Sequence, residues 1–167
     1  MSKQIDRILF GSETNSWNRF QTFLDLVPII RGKTYWYALR TAYESSDNLY
    51  LLRDDVKASF LRNEPEREFL MTPKEIEFLK KLPERISIYR GMTEAELKHN
   101  SFGCSWTLKK EVAEFFAFTN SRNLATSNLK KTVHELTIDK NEVIAFFNGR
   151  KEFEIIYIND NSLEATL

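Results

Sequence analysis

The apolar residues of this chain change period once, near residue 83, and that change constrains the fold more than any other feature. Before it they recur at spacings of three and four. In "SWNRFQTFLDLVPII", Trp17, Phe20, Phe23, Leu24 and Val27 fall on one helical stripe. Pro28 should end or kink that helix. "KTYWYALRTAY" predicts a second helix with Trp36, Leu39 and Tyr43 on one side, and "DDVKASFLR" a weaker third. "TPKEIEFLKKL" carries a start signal: Thr72 can cap, Pro73 needs no N–H, and Glu75 lies three residues after the cap. Phe78 and Leu79 are its expected buried side.

From Pro83 the period is two. "RISIYRG", "SFGCSWT", "KTVHELTI", "EVIAFFN" and "EFEIIYI" each predict a strand. One helix interrupts them, "LKKEVAEFFAFT", with Val112, Phe115, Phe116 and Thr119 expected on one side. Helices followed by strands, joined by short connections, predict an α+β fold with a mainly antiparallel sheet. The expected organisation is a single domain, 1–167, with a helical part over 1–82 and a β-rich part over 83–167.

Composition narrows the function classes. Lys plus Arg number 24 and Asp plus Glu number 24, so no basic excess points to nucleic acid as a partner. Cys104 is the only cysteine, which rules out an intrachain disulfide, and the two histidines have no zinc-ligand spacing, so no metal is expected. The apolar patch Ile8 to Phe10 is too short for a signal-peptide core, and no run approaches the ~18 apolar residues of a membrane span. The expected setting is a reducing cytoplasm, with no membrane partner and a monomeric chain.

Three strands each carry polar groups in line with apolar ones. In "ISIYR", Ile86, Ile88 and Arg90 alternate onto one face. A guanidinium there needs an anion, which is either a ligand or an internal carboxylate. Gly91, next in the chain, would let a ligand approach the backbone. In "SFGCSWT", Ser105 and Thr107 share a small, hydroxylated face, opposite Phe102, Cys104 and Trp106. Thr107 could equally cap the helix that follows. In "EFEIIYI", Glu152, Glu154, Ile156 and Ile158 share a face. Glu152 and Glu154 could serve as an acid/base pair, their Cβ atoms about 7 Å apart on a strand.

The ordered set "YRG" (89–91), "SWT" (105–107) and "EFE" (152–154), with a helix after the second, resembles the mono-ADP-ribosyltransferases of the Arg, Ser-Thr-Ser-like, Glu-x-Glu branch. The resemblance spans roughly residues 83 to 160 and departs at Trp106 and at Thr107, which stands where that branch has serine. It implies a two-sheet catalytic core on which the helical half packs, and NAD as co-substrate. It also implies transfer of ADP-ribose to a cytoplasmic protein, by default to arginine, as in a bacterial or phage effector. Arg90 would bind the phosphate or ribose region, and the Gly91 backbone the nicotinamide amide. Ser105, supported by Thr107, would order the catalytic glutamate. Phe116, or its neighbour Phe115, would stack on nicotinamide, and Arg122 would be a second phosphate ligand. Glu154 would stabilise the oxocarbenium-like transition state, Glu152 would activate the acceptor, and Phe147 in "FNGRK" would contact the target. The other readings are NAD hydrolysis, a silent protein-binding module presenting Trp17, Tyr35, Trp36 and Tyr37, and a glycoside hydrolase built on the two glutamates.

Overall fold

In the computed structural model, which describes residues 2–47, 49–119 and 128–159, the chain divides into two compact units, Met1–Thr72 and Pro73–Leu167. The division precedes the helix of "TPKEIEFLKKL", so that helix belongs with the strands.

The first unit contains helices α1 (Ser2–Leu9), α2 (Arg19–Leu26), α3 (Gly32–Glu44) and α4 (Arg53–Leu61), followed by a 3₁₀ turn at Arg67–Leu70. Its core is built around α3, where Tyr35, Trp36, Ala38, Leu39 and Ala42 are fully buried. Phe23 of α2 meets Tyr35 with ring centroids 5.6 Å apart, and Tyr43 meets Phe60 of α4 at 5.1 Å. The buried polar tips find partners, as they must where water is excluded: the Tyr35 hydroxyl donates to the Ser59 carbonyl (2.8 Å), and Trp36 Nε1 to that of Pro65 (2.7 Å).

Two expectations shift here. The stripe of α2 is Phe20, Phe23 and Leu26, while Trp17 is 68% exposed. Asn15 Oδ1 accepts the Trp17 N–H (2.8 Å) in the turn before the helix, so Trp17 lies outside the helical period. The helix α1, which the short apolar patch did not signal, buries Ile5 and Leu9 at a spacing of four. Of the four rings a silent module would present, Tyr35 and Trp36 are core, and the Tyr37 hydroxyl is tied to Asp6 Oδ1 at 2.8 Å.

The start of α3 is capped by carboxylates distant in sequence. Glu64 Oε1 accepts the Gly32 N–H at 2.6 Å, and Glu66 Oε2 that of Lys33 at 2.9 Å, filling two of the donors every helix N-terminus leaves open. Gly32 sits at φ +54°, where glycine is the least strained residue. The bond from Gly32 holds the Glu64 carboxyl below its ordinary pKa of 4.5. A carboxyl depressed in the folded state stabilises it above the unfolded pKa, and that contribution is lost as pH falls through the folded value. The urea midpoint should therefore drop more steeply between about pH 5 and pH 3 for the wild type than for Glu64→Gln. Equal slopes would show that the cap contributes no acid sensitivity.

The second unit runs α5 (Pro73–Lys81), β1 (Arg85–Thr93), α6 (Glu94–Lys98), β2 (Ser105–Thr107), α7 (Lys110–Glu114), β3 (Lys131–Asp139), β4 (Ala145–Phe147) and β5 (Glu154–Ile156). Its strands form one five-stranded antiparallel sheet in the order β3-β1-β2-β5-β4. The fold is thus α+β, and the described strands make a single sheet where two were expected. The long pair β1–β3 runs in register from Arg85↔Asp139 to Thr93↔Lys131.

A π-helical turn, Phe115–Thr119, continues α7. The expected apolar side of this helix is replaced by another: Ala113 and Ala117 are buried, whereas Phe115 and Thr119 are exposed. The reason lies on β1. A Cβ on Gly91 would stand 2.3 Å from the Ala113 carbonyl oxygen and 2.8 Å from the Ala117 nitrogen. Only glycine opposite alanine allows helix and strand backbones to approach this closely.

Candidate active site

The three sequence motifs lie on three neighbouring strands, β1, β2 and β5. In register, Thr107 of β2 stands opposite Glu154 of β5 and opposite Tyr89 of β1. Cross-strand neighbours share a face, so Ser105, two residues from Thr107, reaches Glu154 diagonally. Its hydroxyl donates to Glu154 Oε1 at 2.6 Å. That carboxylate is only 5% exposed, and a buried charge persists only where donors surround it. The second donor is Arg150, whose Nη2 lies 3.4 Å from Glu154 Oε2 and 2.9 Å from Glu152 Oε2.

Glu152 is brought to the same guanidinium by a route that alternation does not describe. The strand β5 begins at Glu154, and Lys151 and Phe153 adopt φ +60° and +50°. Such a conformation is strained for large side chains and is kept only where the surroundings dictate it. Here they do. The Phe153 ring packs 5.9 Å from Phe78 of α5 and 6.3 Å from Phe146 of β4, with the Lys109 ammonium 3.9 Å from its centroid. Asn148 Oδ1 takes the Phe153 N–H (3.3 Å), and the Asn148 N–H goes to the buried carboxylate of Glu75 (2.9 Å). Glu75, read from sequence as part of a helix start, therefore also braces the loop before the two glutamates.

Thr107 links β2 to that loop. Its hydroxyl donates to the Glu152 carbonyl (2.7 Å) and accepts the Lys109 N–H (3.1 Å). The second bond is a turn of the Ser/Thr type, and the N-cap of α7 is Lys109 instead of Thr107.

Arg90 meets its anion inside the protein. Nε donates to Glu96 Oε1 at 2.7 Å, and Nη1 to the Ser105 carbonyl at 2.7 Å. Tyr89, not Arg90, lies opposite Thr107, so alternation sends Arg90 to the face of Trp106 and His134. The guanidinium lies against Gly103, where a Cβ would come within 2.6 Å of Nη2. Glu96 is itself fixed: it also accepts the Gly103 N–H (3.2 Å), and Thr93 caps its short helix. A continuous series of bonds thus runs from Glu96 through Arg90 to the backbone of the residue whose hydroxyl grips Glu154.

The remaining candidates are placed as follows. The close approach at Gly91 is made by the helix α7 and its π turn. Phe116 is half-buried on that π turn, with Phe115 at 5.6 Å edge to face. Phe147, expected as an exposed target contact, is buried in β4 opposite Glu154. Arg122 lies outside the described residues. Arg150, Glu96, Asn148 and Glu75 were not singled out by sequence as site groups. The "FNGRK" loop flagged the region of Arg150, but no periodicity marks a turn residue. Among the described residues no group of three or more potential metal ligands occurs, and no helix is long and apolar enough to cross a membrane.

Compared with protein-family models, with curated proteins and with solved structures, the chain matches none.

Proposed function

We propose that this protein is a mono-ADP-ribosyltransferase that uses NAD and transfers ADP-ribose to an arginine side chain of a protein, releasing nicotinamide. The observation that carries the reading is the Ser105 hydroxyl held 2.6 Å from the buried carboxylate of Glu154, with Glu152 a short distance away on the same guanidinium. NAD supplies a ribose carbon whose bond to nicotinamide breaks with development of positive charge. A fixed carboxylate in a poorly solvated position is the group that best stabilises such charge, and Glu154 has those properties. Ser105 fixes its orientation, so little reorganisation is needed when the charge develops. Glu152, at 27% exposure against 7% for the Glu154 side chain, is the carboxylate that can face an incoming acceptor and take its proton.

The resemblance gives Arg90 a phosphate to bind, whereas the geometry supports a different emphasis. Its charge is already matched by Glu96, so its contribution here is to hold the Ser105 backbone. Phe116, which the resemblance sets against nicotinamide, is half-buried on the π turn.

The test is nicotinamide release from NAD by the purified protein, with and without a cytoplasmic extract, with mass spectrometry of the extract for added ADP-ribose. Release that depends on extract, with modified arginine, is expected. Release of equal rate without extract would instead make the protein an NAD glycohydrolase, and no release at all would remove the enzymatic reading.

A further inference from the structure

We infer that Arg150 is an internal occupant of the acceptor position: its guanidinium holds the Glu152–Glu154 pair in the resting protein and has to leave before an acceptor guanidinium enters. The inference rests on the proposed function for its meaning, but its physical content, a displaceable guanidinium on a two-carboxylate site, does not.

A single nitrogen, Arg150 Nη2, lies within ion-pair distance of one oxygen from each glutamate, 2.9 Å for Glu152 and 3.4 Å for Glu154. A planar, permanently charged fork is the group that two convergent carboxylates select. Any external guanidinium reaching both acids would need the same space. The backbone beneath Arg150 is well held, because Asn148 accepts the Lys151 N–H on its carbonyl (3.1 Å) and the Phe153 N–H on its side chain, and is itself tied to Glu75. The side chain is the movable part. Arg150 is 49% exposed at its side chain, and ion pairs so open to water are weak. A weak internal ligand attached by a short tether acts as a competitor at high effective concentration, and it sets a threshold that only a well-placed acceptor overcomes. An arginine serving to hold the two acids in shape would instead make the site poorer for guanidines when removed, because the pair would lose its convergent geometry.

The probe is agmatine, a small guanidine, titrated calorimetrically against wild type, Arg150→Ala and Arg150→Gln in the absence of NAD, with 1,4-diaminobutane as a control lacking the guanidinium. Thermal melts confirm that both variants are folded. Removal of the internal competitor is expected to tighten agmatine binding roughly tenfold, with a clearly smaller gain for the diamine, which carries charge but no planar fork. The gain should vanish in Arg150→Ala/Glu152→Gln. Unchanged or weaker agmatine binding in both single variants overturns the inference, as does a gain that survives the Glu152 substitution. A parallel assay of nicotinamide release keeps the two readings apart. Tighter agmatine binding without any release upholds the guanidinium site and removes the transferase. Release with agmatine binding unaffected by Arg150 does the reverse. Where both hold, the agmatine KM for transfer should fall about tenfold in Arg150→Ala.

Discussion

Glu154→Gln is expected to lower nicotinamide release from NAD on the order of 10²- to 10³-fold while leaving the melting temperature within a few degrees of wild type. The amide keeps the volume of the carboxylate and an oxygen that can accept the Ser105 hydroxyl, so packing is preserved. What it loses is the negative charge, and with it the electrostatic partner of the positive ribose proposed for the transition state. Arg150 retains Glu152 as its nearer partner at 2.9 Å, so the change does not strand a cation. The measurement is the initial rate of release alongside a thermal melt. A variant that keeps the wild-type rate would show that Glu154 does not lie beneath the reacting carbon. A comparable loss in Glu152→Gln but not in Glu154→Gln would exchange the two roles.

The largest effect on stability is expected at Glu96. Its carboxylate is 6% exposed and pairs at 2.7 Å with the Arg90 guanidinium, itself 15% exposed. Removing one member of a buried pair strands the other, a loss of roughly 3–5 kcal/mol. Glu96→Ala also leaves the Gly103 N–H without its acceptor. With a urea slope of about 1–3 kcal/mol per M, the midpoint should fall by more than about 1 M. Replacing both partners by apolar residues, Glu96→Leu with Arg90→Met, removes the stranded charge and should recover much of the stability. On the proposed function the double variant should still release nicotinamide poorly, because the bond from Arg90 to the Ser105 carbonyl is then lost. A loss below about 1 kcal/mol for Glu96→Ala would mean that water reaches Arg90 freely. A double variant with the wild-type rate would show that Ser105 needs no such brace.

How much was legible in the sequence can be traced through particular residues. The five strands and the helix beginning at Pro73 followed from period and start signals, since both are local properties of a dozen residues. Strand ends were less legible. "EFEIIYI" alternates without interruption, yet Phe153 leaves the β region because Phe78 and Phe146, from other elements, take its ring. For the helix after Thr107, the larger residues Phe115 and Phe116 suggested the buried side, but the close approach of β1 at Gly91 selected the alanines. Arg90 was legible as a cation needing an anion. Which anion depended on Glu96, six residues away through a turn that no pattern marked.

By itself, then, the sequence determined the class of the fold, the order of its strands and the candidacy of Ser105, Glu152 and Glu154, because periodicity, caps and charge are carried by neighbouring residues. The tertiary structure alone decided which groups touch. It set Ser105 on Glu154 through a β2–β5 pairing across 49 residues of chain. It bent the loop so that Arg150 joins both glutamates, and it turned Arg90 toward Glu96. Those contacts depend on strand register and on backbone conformations imposed by distant side chains, and no local run of residues encodes either.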